Sequence, residues 1–285
     1  MTDTPWTGDA CSLVDAFRSG ERTPLDELDV TLAAIERSDL NAFSYLDAEG
    51  ALAVAASADV NAPFGGVPVG VKELDSVAGW PYTQASVPLK DCVATHDSTL
   101  VSRLRFAGSV LVGLTTSSEF GGVNLTRTNL NGVTRNPWDL TRTPGGSTGG
   151  GSSAVAGGLI TVGTGGDGGG SRLIPAGFTG VFGLKCTYGR IPKSPEMCVG
   201  SMTAVLGCVS RSVRDTARFV DVTNGFDQRD PYSLGRVDGW EAGLGTHELR
   251  GKRAAIVPDL GIAVVHPEVA RQMAANQIHS VVVVG

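Results

Sequence analysis

The stretch PGGSTGGGSSAVAGGLITVGTGGDGGGS, Pro144 to Ser171, decides how this chain is read. Positions 145 to 170 hold 13 of the 39 glycines. A flexible linker would be polar throughout, whereas Ala154, Val155, Ala156, Leu159, Ile160 and Val162 lie inside this stretch and can pack. The pattern predicts a loop, a small-residue helix, a strand, and a second glycine loop ending at Ser171.

Working outward, Ser98 to Ala107 reads as a helix capped by Ser98 and stopped by Gly108, with Leu100, Val101 and Leu104 on its inner face. Ser109 to Gly113 then reads as a strand. Further upstream, the turn-rich run Asn61 to Gly66 leads into Val67-Pro68-Val69-Gly70-Val71-Lys72, a buried strand with a lysine at its end. Strand, helix and strand in alternation predict an α/β fold with a largely buried sheet. Residues 1–60 are expected to form an N-terminal helical segment. Thr23 would cap a helix that begins at Pro24 and buries Leu25, Leu28, Leu32 and Ile35. Residues 61–285 are expected to form the core. Residues 224–250 read as a polar connection, Arg253 to Val257 as a strand and Pro267 to Ile278 as a helix. The final run Val281 to Gly285 looks like a core strand, which suggests a fragment incomplete at its C-terminus.

The chain carries a net charge of −6 with an isoelectric point near 5.2, so no nucleic-acid partner is expected. No apolar run reaches the ~20 residues of a membrane span, and the polar start MTDTPWTGDA is no secretory signal. Cys11, Cys92, Cys186, Cys198 and Cys208 are odd in number and widely spaced, without a Cys-x-x-Cys pair. Neither a disulfide framework nor a metal site is expected, and a reducing cytoplasm fits.

The glycine loops present backbone N–H groups without side-chain cover, a cradle for an anion or a developing oxyanion. Gly163 to Gly168 also matches a dinucleotide spacing, but a glycine-dense stretch does so by chance. Ser147 and Ser171 sit in or after these loops, and either hydroxyl would need a base. His96, His247, His266 and His279 all lie outside the glycine motifs. Lys72 is the alternative: burial at a strand end would depress its pKa from about 10.4 and free an amine to take a proton.

Taken together, Gly66 to Lys72, Pro144 to Gly150 and Gly165 to Ser171 resemble the amidase signature family in order and in separation. Lys72 to Ser147 spans 75 residues and Ser147 to Ser171 spans 24. Leu104 to Gly108, Glu119-Phe120, Thr134 to Trp138 and Gly183 to Arg190 extend the resemblance. It implies an α/β fold with a mixed central sheet covered by helices on both faces, and hydrolysis of a carboxamide C–N bond through a seryl acyl-enzyme, without a cofactor or metal. Carried over residue by residue, Ser171 is the nucleophile, Ser147 the cis-peptide serine and Lys72 the base. Backbone N–H groups of Gly168, Gly169, Gly170 and Ser171 form the oxyanion hole, and Thr148 and Asp167 support the triad. The expected partner is a small amide substrate, and a homo-oligomer is allowed.

This sequence departs from the family pattern in several places. Arg172-Leu173 follows the nucleophile where the family has an apolar residue and then Arg, which leaves open what anchors Asp167. Gly166 replaces a hydroxyl residue, Cys186 a proline, and Glu73 an aspartate. Two other readings stay open: an incompetent amidase-like fragment acting at most as a binding module, and a nucleotide-binding protein.

Overall fold

The computed structural model describes residues 3–195, 202–246, 248, 253–256, 261, 264–275 and 281–284. In chain order these residues form α1 (Ala10–Ser19), α2 (Pro24–Glu36), β1 (Phe43–Leu46), α3 (Ala48–Ala56), β2 (Pro68–Lys72), α4 (Thr99–Phe106), β3 (Val110–Thr115), β4 (Arg127–Thr128) and β5 (Gly132–Val133). There follow α5 (Gly149–Ala156), β6 (Val162–Asp167), α6 (Leu173–Thr179), β7 (Phe182–Gly183), β8 (Val205–Ser210) and α7 (Val213–Thr223). All of these lie in one compact unit, 1–242.

Six strands form a mixed sheet in the order β1-β3-β2-β6-β8-β7. The inner strands β3, β2 and β6 are parallel, while β1, β8 and β7 pair antiparallel. The chain leaves β2 for β3 on one side and then returns to β6 on the other. Ligands of open α/β sheets bind outside the carboxyl ends of strands at such a reversal. Lys72 is the last residue of β2 and Asp167 the last of β6.

Strand alternation sorts the side chains onto two faces. Val69, Val71, Leu111 and Leu114 pack with Leu13 and Phe17 of α1, Leu100 and Leu104 of α4, and Phe219 of α7. Val110 and Val112 pack on the other face with Leu28 of α2, Ala51 of α3, and Ala154 and Val155 of α5. Gly70 and Lys72 alternate with the valines of β2 and so share the second face. The small-residue helix α5 lies closely there. A Cβ on Gly150 would come 2.4 Å from the Thr116 backbone nitrogen.

The expected capping is present. Thr23 Oγ1 accepts the Asp26 N–H at 3.1 Å, and Ser98 Oγ accepts the Val101 N–H at 3.3 Å. Ser98→Ala is expected to lower stability by about 1 kcal/mol, read as a lower urea midpoint with an unchanged slope.

The first sixty residues are not a separate helical segment. Phe43 to Leu46 form β1, which pairs with β3 at the sheet edge and ties this part to the core. Leu25 is exposed, because the buried stripe of α2 runs through Leu28, Thr31 and Ile35 instead. Residues 224–246 contain no helix or strand, as expected of a polar connection.

A second unit, 243–285, contains β9 (Arg253–Ile256), α8 (Pro267–Ala275) and β10 (Val281–Val284). The valine run is a strand, paired antiparallel with β9 in a two-stranded sheet. Val257, residues 276–278 of the expected helix, and Gly285 lie outside the described residues.

Candidate active site

β2 delivers Lys72 to the sheet face that α5 covers, and the loop entering α5 delivers Ser147 and Thr148 to the same place. Lys72 is 2% exposed, and its Nζ donates to Ser147 Oγ at 2.7 Å and to Thr148 Oγ1 at 3.1 Å. Burial depresses its pKa from 10.5 to about 8, while Asp75 opposes the shift. The strand end is held from behind. The Lys72 N–H donates to Thr164 Oγ1 at 2.8 Å, and Thr164 Oγ1 donates to Asp75 Oδ2 at 2.9 Å.

The Gly146–Ser147 peptide bond is cis, and Gly145 before it has φ +86°, a left-handed conformation that favours glycine. Thr148 Oγ1 accepts from Lys72 and donates to the Gly166 carbonyl at 3.3 Å. The Thr148 N–H donates to the Ser171 carbonyl at 2.9 Å, which fixes one glycine loop to the other.

Ser147 and Ser171 line one pocket of about 480 Å³ together with Lys72, Asp167, Gly168 and Gly169. Ser171 Oγ itself makes no hydrogen bond among the described residues. Lys72 and Ser147 are thus linked, and no hydrogen bond joins Ser147 to Ser171 among the described residues. Catalytic hydrogen bonds of unliganded sites often close only when substrate binds.

The second glycine loop is organised by Asp167. Its carboxylate accepts the N–H groups of Gly170 at 2.8 Å, Arg172 at 3.0 Å and Leu173 at 3.2 Å. Lys185 Nζ donates to Asp167 Oδ1 at 3.0 Å and also caps the carbonyls of Asp167 and Thr203. Burial works to raise the Asp167 pKa, but these donors outweigh it and hold the carboxyl below its usual value. One expected oxyanion donor is therefore corrected: the Gly170 N–H is committed to Asp167. Those of Gly168, Gly169 and Ser171 have no acceptor among the described residues.

Arg172 reaches Asp167 only through its backbone N–H. Its guanidinium is wholly buried, donates to the Gly165 carbonyl at 3.1 Å and leaves Nε and Nη2 without hydrogen-bond partners. It occupies space beside Gly207, where a Cβ would come 1.9 Å from Nη1. Lys185 is the cation on Asp167, and nothing local in Gly183 to Arg190 gave it that role. Glu73 accepts the Ser117 N–H and Asn131 Nδ2, and burial raises its pKa.

The competing readings find less support. His96 and His266 are absent from the pocket lining, and His247 and His279 lie outside the described residues. Gly163 to Asp167 form an inner strand whose backbone is paired with β2 and β8, so this stretch is not a phosphate-binding loop. A larger cavity of about 670 Å³ runs along α2 and β1 and shares no residue with the Lys72 pocket. Cys11, Cys92, Cys186 and Cys208 are free thiols, and Cys198 lies outside the described residues. No described helix is long and apolar enough to cross a membrane.

The Amidase family model matches residues 28–279. The chain belongs to the amidase signature family. Among curated amidase-signature relatives, a glutamyl-tRNA(Gln) amidotransferase subunit of Roseiflexus sp. (strain RS-1) is 38% identical over 264 residues, covering 90% of this chain and 54% of that protein. The protein of the same name from Rhodopirellula baltica is 35% identical, covering 87% and 52%. Among solved amidase-signature structures, a bacterial aryl acylamidase superposes with a TM-score of 0.86 at 30% identity, covering 97% of this chain and 59% of its own. The substrate complex of 6-aminohexanoate cyclic dimer hydrolase superposes with a TM-score of 0.84 at 33% identity, covering 94% and 57%. The chain spans about half the length of the curated relatives it matches. The α/β sheet with helices on both faces is the fold of this family.

Proposed function

We propose that this chain carries the acylation machinery of a carboxamide hydrolase, and that Lys72, Ser147 and Ser171 perform it. The observation that supports this most directly is the 2.7 Å contact from a buried amine of depressed pKa to Ser147 Oγ, in a pocket shared with Ser171. Neutral Lys72 takes the proton of Ser147 as Ser147 takes that of Ser171. Ser171 Oγ then bonds to the amide carbon. The carbonyl oxygen gains the negative charge and accepts from the N–H groups of Gly168, Gly169 and Ser171. When the C–N bond breaks, Ser147 returns a proton to the nitrogen and is resupplied by Lys72. Ammonia or an amine departs. Water, deprotonated along the same relay, cleaves the acyl ester to a carboxylate and restores Ser171.

Thr148 fixes the orientation of the Lys72 amine, and Asp167 the shape of the oxyanion loop. The substrate is a small amide, in keeping with an acidic chain of net charge −6. Free thiols suit a reducing compartment such as the cytoplasm.

The test is covalent labelling by a fluorophosphonate, which reports the nucleophile without requiring turnover. The wild-type chain is expected to label, and Ser171→Ala to fall to the background of heat-denatured protein. Equal labelling of the two would exclude Ser171. A folded wild-type chain that does not label would favour the reading of an incompetent fragment that at most binds.

A further inference from the structure

Four charged side chains line the pocket: Lys72, Asp75, Asp167 and Lys193. Three of them are committed. Lys72 donates to Ser147 and Thr148, Asp75 accepts from Thr164, and Asp167 is saturated by Lys185 and three backbone N–H groups. Lys193 is not. Its backbone N–H donates to Asp230 Oδ2 at 2.9 Å, and Asp230 is itself buried and also accepts the Tyr232 N–H. The main chain is thus clamped, yet among the described residues the ammonium of this half-buried residue has no hydrogen bond and no ion pair. A pocket-lining cation without a counter-ion keeps its charge-assisted hydrogen bonds open to an anionic ligand group.

The placement of Lys193 tells which part of a substrate it would meet. Lys193 shares a wall with Ala204, and Ala204 stands against Gly168, where a Cβ would come 3.7 Å from it. Ser147 lies beside Gly121 and Leu74, and none of these three lines the small cavity shared by Lys193 and Ala204. In the proposed acyl transfer the leaving nitrogen takes its proton from Ser147, so it lies beside Ser147. The acyl chain is then the part free to extend toward Lys193.

We propose that Lys193 binds a carboxylate at the far end of the acyl chain, which makes the preferred substrates half-amides of short dicarboxylic acids. This deepens the acyl-transfer reading and rests on it for the direction of the chain. The charge partner itself is read from Lys193 alone.

The test is calorimetric binding to the full chain carrying Ser171→Ala, so that no turnover enters. The probes are succinamate, glutaramate and adipamate, each against the neutral amide of equal chain length: butyramide, valeramide and hexanamide. At least one anion is expected to bind 10-fold or more tightly than its neutral counterpart. Adding Lys193→Met should abolish that advantage with no change in melting temperature, since Nζ holds no described contact. Adding Lys193→Arg should keep most of it. The proposal is overturned if all three pairs bind equally, if nothing binds, or if the advantage survives Lys193→Met. Failure of wild-type labelling by the fluorophosphonate would instead remove the acyl-transfer reading, and these binding constants would still decide the role of Lys193.

Discussion

Lys72→Met is expected to slow acylation of Ser171 by about 10²- to 10⁴-fold, the usual worth of a positioned general base. The measurement is the rate of fluorophosphonate labelling across a pH series. In the wild type, only the neutral amine accepts a proton. With its pKa near 8, the rate should fall about tenfold per pH unit below 8 and level off above it. The Met variant should lack that limb. Its stability should move the other way from its activity. The folded pKa of Lys72 lies below the unfolded value of 10.5, so the unfolded chain binds more protons between about 8 and 10.5. Burying the charge therefore weighs against the fold below pH 8, and this penalty fades as pH rises through that window. Removing the amine should leave the melting temperature at pH 7 unchanged or higher. A variant that loses rate and also melts early at pH 7 would mean that Lys72 serves mainly to hold the fold.

Asp167→Ala is expected to be the most destabilising change at the site. It leaves the N–H groups of Gly170, Arg172 and Leu173 without an acceptor and Lys185 without its carboxylate. Orphaning part-buried N–H donors costs about 1–3 kcal/mol each, so the three together are expected to cost about 3–5 kcal/mol, or about 10 °C of melting temperature for a unit of this size. Asp167→Asn keeps one oxygen as acceptor and should lose less. The folded Asp167 pKa lies below its usual 3.8. Its ionised form therefore contributes fully above that value, and the contribution is lost as pH falls through the folded pKa. The gap between wild type and the Ala variant in urea midpoint should hold from pH 8 to 5 and narrow only in strong acid. A gap below about 1 kcal/mol at pH 7 would show that the loop does not depend on this carboxylate.

Much of the site could be read because its signals are local. Glycines around Ser147 and Ser171 mark backbone that must turn sharply or approach closely, and a lysine closing an apolar strand marks a buried amine. These spacings survive without knowledge of tertiary contacts. What escaped depends on contacts far apart in sequence. Lys185 looks like any half-exposed lysine until β7 and β8 bring it to the end of β6. Asp75 and Thr164 are 89 residues apart, yet together they hold the Lys72 strand. The Gly170 N–H could not be removed from the oxyanion set until Asp167 was seen to fold back onto it. The α/β class follows from alternating strands and helices, whereas the mixed sheet order comes with the family resemblance. The four-residue β1 carries no clear sequence signal, because short edge strands show little periodicity and helices flank this one on both sides. Leu25 falls off the buried stripe, because spacing alone fixes a stripe only to within about one residue of rotation.

The void left by the absent side chain at position 207 is filled by the head of Arg172, so these two sites share one volume. Anyone recruiting this scaffold for new chemistry should treat them as a single design variable. Enlarging 207 alone evicts a cation from the interior, and shortening 172 alone leaves a hollow beside the Ser171 loop. Only coordinated exchange explores sequences in which both remain filled.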